Sequence, residues 1–181
     1  MISRFAKGRI AVFIDASNVF YSQQTLRWRI DYQKLKNYFQ RECDLVGLYF
    51  YTGKIGENHK QAAFLKRMEE YGYHVTSKEV KMIRVSPNTY ERKGDLDAEL
   101  IIDALKNAPG FDTCILMSGD SDFAPLLDEL KRQHKRVIVM STRGHISKEL
   151  LDRAKYIDLR KLKSELALNK NLEHPEGSPE V

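Results

Sequence analysis

Four aspartates of the 181-residue chain stand where carboxylates can act together: Asp15, Asp97, Asp120 and Asp122. Asp15 closes an apolar run in Phe13-Ile14-Asp15-Ala16-Ser17-Asn18. Asp120 and Asp122 follow a second such run in Met117-Ser118-Gly119-Asp120-Ser121-Asp122-Phe123. Carboxylates gathered at one spot repel, and a cluster of them persists cheaply only by binding cations or taking up protons. Mg²⁺ suits such a site, because this hard ion takes one or two carboxylates together with waters and substrate phosphates. Metal ions between carboxylates and a phosphodiester activate a water and stabilise the leaving oxygen. The chemistry this pattern points to is hydrolysis of nucleic acid, with Asn18 placed to hydrogen-bond a ligating carboxylate, the attacking water or the substrate. Taken singly, each acid has a plainer use: Asp15 as a turn former, Asp120 as a cap, Asp97 as a charge at a helix N-terminus. Asp103 has Lys106 one turn on, the spacing of an ordinary surface pair.

The functional reading requires three separate segments to end at one edge, so the secondary structure decides it. Arg9 to Ile14 reads as a buried strand, Asp31 to Glu42 as a helix capped by Asp31, and Leu45 to Tyr51 as a second strand. Asn58 to Tyr71 is a basic amphipathic helix stopped at Gly72, and His74 to Val85 alternates as a third strand. Next come a helix from Ala98 to Lys106, an apolar strand from Thr113 to Met117, and a helix from Asp122 to Gln133 with Pro125 in its first turn. Arg136 to Met140 is a further strand, and Ser147 to Lys155 a last helix capped by Ser147. Strands apolar on both faces, alternating with helices, predict a parallel sheet covered on both sides. Ligands of such sheets bind beyond the carboxyl ends of the strands, where strand order reverses. With the first and fourth strands adjacent there, Asp15 meets Asp120. Asp97 lies above Leu100, Ile101 and Ala104, the helix face directed at the sheet.

The net charge of +5 conceals an acidic segment: residues 169–181 carry −2, which leaves +7 on the first 168 residues. A body this basic is drawn to polyanions, without specificity. A single domain over residues 1–168 is expected, followed by a disordered tail over 169–181. No apolar stretch approaches the roughly 20 residues of a membrane span, and the N-terminus has no secretory pattern. A cytoplasmic protein with no membrane association is the expectation. Cys43 and Cys114 form no CxxC pair and read as reduced thiols among apolar neighbours. No P-loop, zinc spacing, Ser/His/Asp or Cys/His arrangement is evident.

Three motifs together carry a resemblance: Phe13-Ile14-Asp15-Ala16-Ser17-Asn18, then Lys93-Gly94-Asp95-Leu96-Asp97 leading to Asp103-Ala104-Leu105, then Ser118-Gly119-Asp120-Ser121-Asp122-Phe123. In this order and spacing they resemble the signatures of the NYN domain, in its bacterial LabA-like branch, over residues 9–160. The resemblance implies an α/β PIN-like fold, a three-layer α/β/α sandwich whose mainly parallel central sheet has strand order 3-2-1-4-5. It also implies an acidic metal site on the carboxyl edge. By motif, Asp15, Asp97, Asp120 and Asp122 match the catalytic and metal-binding set and Asn18 its accompanying residue, implying a Mg²⁺- or Mn²⁺-dependent endoribonuclease. Two positions depart from the pattern: Asp95 adds an acid where the family usually has a neutral residue, and Lys155 stands where relatives often have Asp. The alternative is an RNA-binding or regulatory module of the same fold, with weak or no turnover, acting through a protein partner. A phosphatase of the haloacid dehalogenase type would need a second Asp two residues after the first, where this chain has Ser17.

Single-stranded RNA is the expected partner. Ser118, Lys93, Arg143 and Trp28 are the candidate substrate contacts, with Lys54, Arg92 and His145 in other loops leaving the strand ends. Tyr21, Tyr51 and Tyr90 are available to stack on unpaired bases. Trp28, flanked by Arg27 and Arg29, is expected to be exposed. The fold family admits a homodimer, but no stripe in the sequence identifies an interface.

Overall fold

The computed structural model describes residues 1–54, 56–86, 89–93 and 96–169, the backbone alone for 81–85 and 89–93. Eight elements between residues 9 and 93 come first: β1 (Arg9–Asp15), α1 (Ala16–Leu26), α2 (Tyr32–Glu42), β2 (Asp44–Lys54), α3 (His59–Glu70), β3 (His74–Glu79) and the hairpin β4 (Lys81–Ser86) with β5 (Thr89–Lys93). Then follow α4 (Asp97–Asn107), β6 (Thr113–Met117), α5 (Ala124–Arg132), β7 (Arg136–Ser141), α6 (Lys148–Leu151), β8 (Lys155–Asp158) and α7 (Lys163–Leu166). Six strands form one sheet in the order β3-β2-β1-β6-β7-β8, and every pairing in it is parallel. Its first five strands reproduce the expected 3-2-1-4-5 order, and β8 adds a sixth.

Alternation along β1 divides the interior into two layers. Ile10, Val12 and Ile14 join Leu35, Phe39, Leu65, Met68 and Leu166 on the side of α1, α2, α3 and α7. Ala11 and Phe13 join Leu100, Ala104, Leu126, Leu127, Leu130 and Leu150 on the side of α4, α5 and α6. A strand buried on both faces must be apolar throughout, and β1 obeys this until Asp15. Helix starts follow local chemistry: Asp31 accepts from the N–H groups of Gln33 and Lys34, and Asn58 from that of Gln61. Pro125 lies in the first turn of α5, where its absent N–H costs nothing.

The structure departs from the sequence reading in three stretches. The helix α1 was not read from the sequence, because Val19, Ser22 and Leu26 make a weak apolar stripe. His74 to Val85 is two strands: Val80 leaves the sheet after its N–H bonds the Lys54 carbonyl, and β4 turns into an antiparallel hairpin. The helix expected over Ser147 to Lys155 spans only Lys148–Leu151, Lys155 opens β8 instead, and α7 follows as a helix the sequence did not show. Lys155 places its ammonium 4.4 Å from the centre of the Phe5 ring, within the α1 layer. Gly94 and Asp95, the tail from Lys170 onward, and the side chains of Tyr90, Arg92 and Lys93 lie outside the described residues. No helix among the described residues is long and apolar enough to cross a membrane.

Candidate active site

Strand order reverses between β1 and β6, which makes their carboxyl ends the switch point where a crevice opens. Ile14 pairs with Met117, so Asp15 and Ser118 leave the sheet side by side. Asp15 caps α1, its Oδ1 accepting from the Asn18 N–H at 3.1 Å. Its Oδ2 accepts from Ser118 Oγ at 2.9 Å. Asn18 returns the link: its Oδ1 accepts from the Gly119 N–H at 2.9 Å. Asp120 donates its N–H to Ser118 Oγ at 3.2 Å, and its own Oδ1 accepts the Asp122 N–H at 3.0 Å. Six residues, from the β1–α1 junction and the segment after β6, thus form one hydrogen-bonded knot.

A cavity of about 170 Å³ opens over this knot, lined by Asp15, Ser17, Asn18, Tyr21, Tyr51, Leu96, Asp97, Leu100 and Asp120. Asp97 reaches it from the first turn of α4, whose Leu100 and Ala104 seat the helix on the sheet. Three of the four expected aspartates therefore share one cleft. Asp122 does not line it; the side chain is exposed and only its N–H serves the knot.

Burial pushes the Asp15 carboxyl above its ordinary pKa, and the nearby Asp120 charge adds to this against the hydrogen bonds from Asn18 and Ser118. Among the described residues no lysine or arginine forms an ion pair with either Asp15 or Asp120. Nor does any group of three or more His, Cys, Asp or Glu among them stand ready to hold a metal ion unaided. The cleft offers carboxylate oxygens sparingly, in the way Mg²⁺ sites do when waters and substrate phosphate complete the sphere. The carboxylates of Asp15, Asp97 and Asp120 are of the donor type such an ion takes.

The other candidates divide. Ser118 is 0% exposed with its hydroxyl committed to Asp15, so it orients the carboxylate and cannot meet substrate. Trp28 is half-buried against the α1-side core, where its indole gains more from packing than from solvent. Tyr21 is 46% exposed on the rim of the cavity. Tyr51 is buried in its wall and donates its hydroxyl to Asp103 Oδ2 at 3.0 Å, a more specific partner for Asp103 than Lys106. Arg143 is exposed just beyond β7, and Lys54 is exposed at the end of β2. His145 is half-buried and meets the exposed Thr25, Nε2 to Oγ1 at 2.6 Å. Gly119 was missed by sequence reasoning as a functional position. A Cβ there would overlap the His145 carbonyl, so only glycine lets the loop beyond β7 close on the acidic loop. Both thiols are free; burial raises Cys43 to about 11 and Cys114 to about 12, so neither is a ready nucleophile.

The fold and site define a parallel α/β sandwich with a carboxylate cleft at its switch point. Residues 9–162 match the NYN domain model, and the chain belongs to the NYN domain family. It is 34% identical over 165 residues, 88% of each chain, to the low amplitude and bright protein LabA of Synechococcus elongatus. A crystal structure of a Vibrio parahaemolyticus protein of unknown function superposes with a TM-score of 0.73 at 26% identity, covering 90% of this chain and 98% of that one.

Proposed function

We propose that the chain is a divalent-metal-dependent ribonuclease that hydrolyses phosphodiester bonds of single-stranded RNA in the cleft over β1 and β6. The observation that carries this reading is the meeting of Asp15, Asp97 and Asp120, from three distant segments, on one cavity. Membership of the NYN family supports it, since the family resembles PIN-like nucleases. Asp15, Asp97 and Asp120 would hold Mg²⁺ or Mn²⁺, which when bound supplies water activation and charge stabilisation at the leaving oxygen. Ser118 and Asn18 fix the Asp15 carboxylate through its two hydrogen bonds, so that the oxygens face the cavity in one orientation. Asp122 contributes through its backbone. Leu96 and Leu100 form an apolar wall that limits water around the reacting phosphate.

Substrate choice follows from size and rim. A cavity of about 170 Å³ has room for a phosphate group. Tyr21 on the rim can stack an unpaired base, and Arg143 and Lys54 can meet flanking phosphates from the β7 and β2 ends. A second reading, a regulatory RNA-binding module with little turnover, draws on two facts. No group of three metal-ligating side chains is assembled among the described residues, and the LabA relative bears a name that denotes no reaction.

Cleavage of an end-labelled single-stranded RNA by purified protein separates the two. The ribonuclease reading expects product in Mn²⁺ or Mg²⁺, none in EDTA and none from Asp120→Asn. RNA retained without cleavage in either metal favours the regulatory module.

A further inference from the structure

The loop that follows β7, Thr142 to Ser147, carries no acid, yet it meets the acidic loop at its tightest point. Gly119 is fixed on three sides. Its N–H donates to Asn18 Oδ1 at 2.9 Å, and its carbonyl accepts from the Ser147 N–H at 2.9 Å. Its Cα face lies against the His145 carbonyl with no room for a Cβ. That carbonyl also accepts from Ser141 Oγ at 3.2 Å, which anchors it to the end of β7. The imidazole of His145 reaches the other way, with Nε2 2.6 Å from Thr25 Oγ1 on α1, the helix that also carries Asn18. A threonine hydroxyl both donates and accepts, so this bond forms with either imidazole tautomer and with the imidazolium. The helix α1 therefore grips Gly119 twice, directly through Asn18 and indirectly through Thr25 and His145. Such bracing is needed because Asp120 is held near Asp15, a like charge, with no lysine or arginine ion-paired to either among the described residues.

We propose that His145 is a positioning residue whose bond to Thr25 locks the 142–147 loop against Gly119 and so keeps Asp120 in the cleft beside Asp15. It touches no substrate in this role. Its effect on turnover rests on the ribonuclease reading; its effect on the loop does not.

Hydrogen exchange read by NMR on the full chain tests it. In His145→Ala the amides of Gly119 and Ser147 are expected to exchange at least about 10-fold faster, while core amides such as that of Val139 keep wild-type rates. Thr25→Val reproduces the loss, and His145→Gln, whose terminal amide can still reach the Thr25 hydroxyl, restores protection. In RNA cleavage with Mn²⁺, His145→Ala lowers kcat about 10-fold at near-constant KM, whereas Arg143→Ala raises KM. Wild-type exchange at Gly119 in His145→Ala or in Thr25→Val overturns the proposal whatever the activity. Faster exchange in a protein whose wild type cleaves no RNA overturns the ribonuclease reading and leaves the loop assignment standing.

Discussion

The strands β1 and β6 have an aspartate at both ends of their pairing, and the two ends treat the charge in opposite ways. At the amino end, Asp112 stands before β6 and faces Arg9, the first residue of β1. Its Oδ2 accepts the Arg9 N–H at 2.8 Å and lies 3.3 Å from Arg9 Nε. Both side chains are exposed, and the guanidinium holds the Asp112 carboxyl below its ordinary pKa. At the carboxyl end, Asp15 receives hydrogen bonds from Asn18 and Ser118, has Asp120 for a neighbour, and titrates above its ordinary value. A carboxylate the fold needs for itself is given a cation by the chain. On the proposed reading, the one held by hydrogen bonds and without an ion pair among the described residues is kept for a cation from outside.

Breaking the carboxyl end has the largest expected effect. Asp15→Asn or Asp120→Asn should drop RNA cleavage below about a hundredth of wild type, beyond the 10–100-fold typical of residues that merely support a metal ligand. Circular dichroism should show both variants folded. Gly119→Ala forces the 142–147 loop away from the knot and should destabilise the chain by about 1–3 kcal/mol in urea unfolding, with cleavage lost as well. Ser118→Ala frees one Asp15 oxygen to turn and should cost about 10–100-fold in cleavage, a smaller loss than that of the carboxylate itself.

Stability against pH sharpens the contrast further. Asp15 has a folded-state pKa above its unfolded one, so its ionisation opposes folding. The cost is absent below the unfolded pKa and grows as pH rises through the folded pKa. Without metal at pH 8, Asp15→Asn should melt above wild type in a thermal scan, and the gap should close toward pH 4. Asp112 has the opposite sign: its contribution is present above the unfolded pKa and is lost as pH falls through the folded one. Arg9→Met should therefore melt slightly below wild type near neutral pH, less so in high salt, and cleave normally.

The same contrast explains what could be read from the sequence. Asp15, Asp97 and Asp120 were legible because each ends or opens an apolar element whose period is plain, and a parallel sheet sends such ends to one edge. Asp122 stands in the expected set with capping as an equal reading, and the structure leaves its side chain exposed while its N–H serves the turn after Asp120. Ser118 looked available because sequence does not reveal that Oδ2 of Asp15 lies 2.9 Å away. The short β8 was hidden behind Leu150, Leu151 and Ala154, whose helical spacing runs straight into Lys155. The β3–β4 break was hidden because Val80 is neither Gly nor Pro and the alternation continues across it. The Thr25 to His145 bond spans 120 positions, and no local pattern announces a contact that distant.

The central claim is that the carboxyl-end acids are kept for a divalent cation while the amino-end acid is not. Calorimetric titration of MnCl₂ into the metal-free protein tests it most directly. Saturable binding is expected in wild type and in Arg9→Met, and none in Asp15→Asn. Wild-type protein that takes up no Mn²⁺, or Asp15→Asn that binds it as wild type does, would contradict the account.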